Sequence, residues 1–260
     1  MSELFSQDES LNHQQTVALM RPADEVMKLE RMGAFFPHRL SFMRSFIRRI
    51  AAEGAKLSCP VMALDNNGFG HIVLSLPVSG RTYSLIAYSR HLDNAERTDR
   101  VIATNWDASF CLFDGVPNED DIALLSNHVT TQEQGQYHEK VLTLSRANKS
   151  VRLFQHVTDA LASGVQPNPE MLFSIGYLMR TTAVYGNGKF GIADRGSIAW
   201  YPGLEGPFQA EMLTVYLIRE FSFWLVEHCA AKRSEAQSPA KLDDRIKQYL
   251  GIGNSTGLGM

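Results

Sequence analysis

The stretch HIVLSLPVSGRTYSLIAYS, residues 71–89, decides the fold class. Apolar residues recur at every second position on both sides of Ser79-Gly80, and a period of two is typical of a β-strand with one buried face. Two such runs separated by a two-residue Ser-Gly break indicate a hairpin turn. We therefore predict an antiparallel hairpin over 71–89, with Ile72, Leu74 and Leu76 facing the core.

Segments on either side of this hairpin extend the prediction. VIATNW (101–106) and SFCLF (109–113) are rich in β-branched and aromatic residues, which favours one or two further strands. The simplest arrangement of these strands is an antiparallel β-meander from about 60 to 114. Upstream, apolar residues at helical spacing predict a helix from Pro37 to Glu53 that ends at Gly54.

The pattern becomes helical after Asp114. Asn118 precedes three acidic residues, the arrangement of an N-cap followed by carboxylates in the first helical turn. A further helix is predicted from Ser145 to Ala162. Three prolines follow a small or capping residue and predict three more helix starts, at Asn168-Pro169, Gly206-Pro207 and Ser238-Pro239. Strands grouped before helices indicate an α+β fold, with the meander followed by a mainly helical half.

The chain divides into three predicted segments. Residues 1–36 form a polar N-terminal arm, and residues 37–250 form a single α+β domain with its sheet at 60–114 and its helices at 118–250. Residues 251–260, GIGNSTGLGM, form a glycine-rich tail. Because this tail is apolar and uncharged, we expect it to lack the contacts of a folded terminus, as the cut edge of a longer protein would.

Composition and charge narrow the class of protein. The chain has 260 residues, of which 44% are hydrophobic and 20% are charged, as in an ordinary globular protein. Its formal net charge of −3 argues against nucleic acid or an anionic membrane surface as a partner. The first ten residues, MSELFSQDES, do not have the basic start and apolar stretch that are typical of a secretory signal. The sequence has no run of 18 apolar residues, and its three cysteines (Cys59, Cys111 and Cys229) are widely spaced. These features predict a cytoplasmic protein without a membrane span.

No motif assigns a metal or a cofactor. The eight histidines include no HxH or HExxH, and no two cysteines have ligand spacing, so we predict no metal site. The stretch MRTTAVYGNGKFGIADRG (179–196) resembles a phosphate-binding loop only loosely. Ala183 takes the place of its first glycine and Phe190 that of its Ser or Thr, which argues against a Walker-type nucleotide site.

The same stretch holds the predicted ligand-binding residues. Gly186 and Gly188 allow a ligand to approach the backbone closely, and Lys189 and Arg180 supply positive charge. Backbone amides combined with cations suit a carboxylate or a phosphate. The alternative interpretation is a flexible connection whose charges are simply solvated.

Arg219 is a second candidate ligand-binding residue. It falls within the apolar stripe of the helix predicted from Pro207 to His228, so its charge should be largely removed from water. A buried charge needs a partner. That partner is either a bound anion or a carboxylate, for which the candidates are Glu211, Asp194 and Glu205.

The functional prediction is a protein that binds a small anionic metabolite, with an enzymatic role left open. Tyr185 and His156 are the candidates for proton transfer. On the predicted 145–162 helix, His156 lies in line with Lys149, Arg152 and Asp159, a pattern typical of a solvated face. One alternative is a non-catalytic sensor or interaction module that uses the 60–114 sheet and the basic 38–53 helix. The other is the N-terminal fragment of a larger enzyme.

Overall fold

A single antiparallel sheet of six strands is the central feature of the described part of the chain. The computed structural model describes residues 48–91, 108–131, 139–175, 178–186, 201–205, 209–234 and 238–249. The strands lie in the sheet in the same order as in the sequence. They are β1 (Ser58–Leu64), β2 (Gly70–Val78), β3 (Arg81–Ser89), β4 (Ala108–Asp114), β5 (Val141–Lys149) and β6 (Met179–Gly186).

The predicted hairpin is confirmed as β2 and β3. Their register pairs Val78 with Arg81, so Ser79 and Gly80 alone form the turn. Both turn residues have positive φ, 50° and 76°, which is the type I′ geometry that matches the twist of the two strands. Ile72, Leu74 and Leu76 are all 0% exposed, as predicted.

A carboxylate outside the hairpin holds its turn. Glu53 accepts hydrogen bonds from the backbone N–H of Ser79 (2.8 Å) and from its hydroxyl (3.2 Å). Glu53 follows a helical segment at 48–52, which is the described end of the helix predicted over 37–53, and Gly54 has the left-handed φ of 64° expected of a stop signal. The helix end and the hairpin turn are therefore joined by side-chain contacts.

The α+β class and the meander are confirmed, and the meander continues beyond the predicted limit. β4 corresponds to the predicted strand at 109–113, whereas 101–106 lies outside the described residues. β5 and β6 add two strands to the half that the sequence predicted as helical, and both pair antiparallel. The half predicted to be mainly helical therefore also contains these two strands.

The helix predicted from Ser145 starts too early. Residues 145–149 belong to β5, and the helix begins at Val151 with Ser150 at its N-cap. The first five residues of β5 are all buried, because the sheet is covered on both faces at this point. A strand buried on both faces lacks the polar alternation that distinguishes it from a helix, and this explains the error.

Within the described residues, five helices come after β4 in the sequence. They are α1 (Glu119–Thr131), α2 (Val151–Ala162), α3 (Pro169–Ile175), α4 (Gln209–Arg233) and α5 (Asp244–Tyr249). α1 packs on one face of the sheet, against β3 and β4. α4 crosses the other face, where it contacts β2 to β6 and packs against α2. The sheet thus lies between two helical layers, each with its own apolar cluster. No helix in the described part of the chain is both long enough and apolar enough to span a bilayer.

The predicted helix starts have mixed outcomes. Asn118 caps α1: its side chain accepts the N–H of Asp121 (2.7 Å), and the Asp121 carboxylate accepts the N–H of Asn118 (3.0 Å). Asn168-Pro169 opens α3, as predicted. Ser238-Pro239 does not open a helix, because α5 begins only at Asp244, where Asp243 accepts the N–H of Arg245 (2.7 Å). Gly206-Pro207, the arm at 1–36 and the tail at 251–260 lie outside the described residues.

Candidate functional site

A cleft of about 230 Å³ lies between the β1–β2 turn, the first two turns of α2 and the C-terminal half of α4. Its lining combines two cations with neutral polar and apolar side chains. The lining residues are Asn67, Lys149, Val151, Phe154, Gln155, Thr158, Leu225, Cys229 and Arg233. They come from three separate stretches of the sequence, so the tertiary fold creates this site.

Helical periodicity directs two sets of side chains into the cleft. On α4, Leu225, Cys229 and Arg233 are spaced four residues apart and so share one face. On α2, Val151 is followed by lining residues three, four and seven positions later, which also share one face of the helix. The two helices pack against each other, and these two faces form opposite walls of the cleft.

The β1–β2 turn closes one side of the cleft. Asp65 fixes the turn by accepting hydrogen bonds from the N–H groups of Asn67 (2.8 Å) and Phe69 (2.9 Å). Gly68 has a φ of 80°, and a Cβ at this position would lie 2.6 Å from Leu225 Cδ1 and 2.9 Å from Cys229 Sγ. The turn can therefore lie directly on α4 because residue 68 has no side chain.

Lys149 reaches the cleft from the last position of β5. Its ammonium nitrogen lies 5.6 Å from the ring centre of Phe154 and 5.8 Å from that of Phe69. Each ring is within the range of a cation–π contact. The two aromatic rings thus fix the position of a positive charge on the wall of the cleft.

Arg233 supplies the second positive charge. Its Nη1 lies 3.6 Å from Oδ1 of Asp159, and the two side chains are 47% and 60% exposed. An ion pair that is this exposed contributes little to stability, so the guanidinium group can interact with another anion at small cost. Lys149 and Arg233 thus bring two cationic side chains to the cleft, and Asp159 lies beside Arg233.

Cys229 forms part of the cleft but lacks the properties of a nucleophile. The side chain is 4% exposed, and burial raises the pKa of its thiol, an effect that the nearby Arg233 and Lys149 only partly oppose. The thiol is therefore neutral near pH 7 and behaves as a small apolar group. None of the nine lining residues is a histidine, an aspartate or a glutamate.

The structure separates two of the predicted ligand-binding residues. Arg180 pairs with Asn148 near the start of β6, and Gly186 pairs with Thr143 at its end. The two positions are six residues apart along an extended strand, a distance of about 20 Å. Tyr185 also lies in β6, where it pairs with Leu144 of β5. Gly188 and Lys189 lie outside the described residues. The anion site at 180–189 stays a prediction.

His156 and Arg219 do not line the cleft. Nε2 of His156 accepts a hydrogen bond from the N–H of Asn168 (2.9 Å), which ties α2 to the start of α3. Burial lowers the pKa of Arg219 from 12.5 to about 10, although its side chain is partly exposed. Of its candidate partners, Glu211 is buried, Glu205 is exposed and Asp194 lies outside the described residues. The roles predicted for His156 and Arg219 stay predictions.

Sequence reasoning missed the residues that form the cleft. The sequence pattern places Lys149 on a solvated helix face, because residues 145–149 are predicted as helix although they belong to β5. The signals available were the Asn-Asn-Gly turn at 66–68 and a lysine at the end of an apolar run. Neither signal could show that Arg233 lies beside Lys149.

The described residues contain no group of three or more His, Cys, Asp or Glu side chains that could hold a metal ion. In comparisons with known proteins, no family model, no curated protein and no solved structure matches this chain. The cleft itself is therefore the basis for a functional proposal.

Proposed function

We propose that this protein binds a small anionic metabolite, a carboxylate or a phosphate, in the cleft between α2 and α4. The observation that carries the proposal is the presence of both Lys149 and Arg233 on the walls of one small cleft. A charge-assisted hydrogen bond from either cation favours an anionic ligand.

The size of the cleft agrees with a small ligand. Its volume of about 230 Å³ is at the lower end of the range for small-molecule sites, which begins near 300 Å³. At about 30 Å³ for each water-sized group, it holds roughly eight such groups. A nucleotide or a peptide would extend well beyond these walls, whereas a metabolite with a single anionic group fits between them.

A non-catalytic binding or sensor role agrees better with the lining than an enzymatic role does. Asn67, Gln155 and Thr158 can donate or accept hydrogen bonds, but they do not exchange protons near pH 7. The proposal includes a cytoplasmic location, which is supported by the free thiols of Cys59, Cys111 and Cys229.

Calorimetric titration with acetate, isovalerate, benzoate and inorganic phosphate tests the proposal. We expect at least one of these anions to bind, and we expect Lys149→Met and Arg233→Met each to weaken its binding tenfold or more. Lys232→Met is the matched control, because it removes a charge beside Arg233 from an exposed residue that does not line the cleft. We expect it to change the affinity less than twofold.

Two results would overturn this proposed function. One is that none of the four anions binds to the folded protein. The other is that an anion binds equally well to the wild-type protein and to the Lys149 and Arg233 variants, which would place its site elsewhere.

A further inference from the structure

The exposed side chains of the cleft are polar, with one exception. Three of them carry amide or guanidinium groups: Asn67, Gln155 and Arg233. Val151 is the exception, at 65% exposed. The apolar side chains of Phe154 and Leu225 are only 6% and 2% exposed, so they offer a ligand little area. A ligand in the cleft therefore meets hydrogen-bonding groups on more than one side.

Two of the exposed side chains are neutral amides with no partner in the protein. Within the described residues, neither the side chain of Asn67 nor that of Gln155 makes a hydrogen bond. Asn67 is held through its backbone N–H, which Asp65 accepts at 2.8 Å, and this leaves its amide group to face a ligand. Asn67 lies on the β1–β2 turn and Gln155 lies on α2, so the two amides belong to different walls of the cleft. Each amide can both donate and accept hydrogen bonds.

A third neutral group lies deeper in the cleft. Thr158 is 2% exposed and lines the cleft, and its hydroxyl makes no hydrogen bond to any residue that the structure describes. The buried hydroxyls of Thr143 and Thr214, in contrast, lie 2.7 Å apart and bond each other. A buried hydroxyl without a partner costs free energy, so Thr158 favours an occupant of the cleft that can form a hydrogen bond with it.

The charges around the cleft are mixed in sign. Lys149 and Arg233 line the cleft, whereas Asp159 lies beside Arg233 and Asp65 lies near Cys229. Lys149 also has interactions of its own within the protein, including those with two aromatic rings. Charge therefore gives the site little selectivity among anions, and the neutral hydrogen-bonding groups decide what else the ligand carries.

We propose that the ligand is a small hydroxylated anion, in which hydroxyl groups lie next to the carboxylate or phosphate; this inference rests on the proposed function. Its anionic group contacts Arg233, one of its hydroxyl groups bonds Thr158, and the amides of Asn67 and Gln155 bond the remainder. A site that is built to bond a hydroxyl discriminates strongly against an analogue without one, because the site's own polar groups are then left without partners. A three-carbon hydroxy acid agrees with the volume of about 230 Å³, which holds roughly eight water-sized groups.

Calorimetric titration with matched ligands separates the contribution of the charge from that of the hydroxyl groups. Glycerate and propionate have the same number of carbons and the same charge, but only glycerate has hydroxyl groups, and glycerol has hydroxyl groups without a charge. Glycerol 3-phosphate and propyl phosphate form the corresponding pair for a phosphate, and the pair with the larger difference identifies the anionic group. We expect the hydroxylated member of at least one pair to bind at least tenfold more tightly than its apolar partner and than glycerol.

Two results of this series would overturn the inference, and they differ in what they say about the proposed function. Equal affinities within both pairs would overturn the inference alone, provided that this binding is lost in Arg233→Met. Failure of all the anions to bind would overturn both.

Thr158→Val tests the buried hydroxyl directly. Valine replaces the hydroxyl with a methyl group of similar size, and the change leaves no protein group without a partner, so we expect the variant to fold. We expect the preference for the hydroxylated ligand to fall at least fivefold, while the affinity for its apolar partner changes less than twofold. Thr82→Val is the matched control, since Thr82 lies in β3, is partly exposed and does not line the cleft.

An unchanged preference in folded Thr158→Val would show that water alone satisfies this hydroxyl and would overturn the inference. If Thr158→Val fails to fold, as judged by its thermal melting, the ligand series on the wild-type protein still decides.

Discussion

The absence of one side chain brings the β1–β2 turn against α4. A Cβ on Gly68 would overlap Leu225 and Cys229, both of which line the cleft. Gly164 offers a useful comparison, because its φ of 78° is close to the 80° of Gly68 but no atom lies within 4 Å of its Cβ position. A comparison of the same substitution at these two positions therefore separates the cost of backbone strain from the cost of steric overlap.

We expect Gly164→Ala to lower the free energy of unfolding by about 1 kcal/mol, the cost of a left-handed conformation. Gly68→Ala should cost about 2–4 kcal/mol, because overpacking adds to the same strain. Urea unfolding of both variants measures the difference. Equal losses would show that the turn can move away from α4 without cost.

At the scale of the element, the predictability of each strand follows from what covers it. β2 and β3 were predicted because their alternation is regular and Ser79-Gly80 marks the turn between them. β5 was not predicted, because residues 141–145 are buried without interruption and their pattern fits a helix equally well. β6 was missed because its end at Gly186 merges with a glycine-rich stretch that indicates a loop.

Two helix starts differ in how they are capped. Asn118 and Asp121 exchange reciprocal hydrogen bonds at the start of α1. Ser150 occupies the N-cap of α2 but makes no side-chain capping hydrogen bond. The residue type alone therefore does not reveal which cap contributes to stability.

Asn118→Ala should lower the free energy of unfolding by about 1 kcal/mol, because it leaves the N–H of Asp121 without its partner. Ser150→Ala serves as the control and should change it by only a few tenths. Thermal or urea unfolding of both variants provides the measurement. A larger loss for Ser150→Ala than for Asn118→Ala would contradict this account of the two caps.

At the scale of the whole molecule, the cleft could not be predicted from the sequence. Asn67, Lys149 and Arg233 are separated by more than 80 residues at each step, and no local pattern records that they meet. These side chains come close together because α2 and α4 lie on the same face of the sheet and pack against each other. The fold class and the hairpin follow from local periodicity, whereas the site depends on long-range packing.

The contact between α4 and α5 gives the stability of the whole molecule a pH dependence. Burial raises the pKa of Glu220 on α4 from 4.5 to about 7; Lys247 opposes the shift, and Glu227 and Asp244 add to it. Between pH 4.5 and about pH 7, Glu220 is therefore protonated in the folded state and ionised in the unfolded state. The free energy of unfolding therefore falls as the pH rises through this interval.

We expect Glu220 to contribute a decrease on the order of 2 kcal/mol between pH 4.5 and pH 7. Glu220→Gln should flatten this part of the pH profile, since the amide does not titrate. Urea unfolding at a series of pH values measures it, with Glu119→Gln, which removes an exposed carboxylate from α1, as the control. A profile that keeps its slope in Glu220→Gln would show that Glu220 is ionised in both states.

The place of α4 late in the sequence has a consequence for synthesis on the ribosome. The first five strands and then β6 leave the exit tunnel before residues 209–233, although α4 covers the apolar side chains of β2 to β6. At elongation rates of about 5–20 residues per second, roughly 7–30 s pass between the end of the hairpin and the end of this helix. During that interval the nascent sheet displays Ile72, Leu74 and Leu76 to other chains, and this is the stage at which a chaperone would have most to protect.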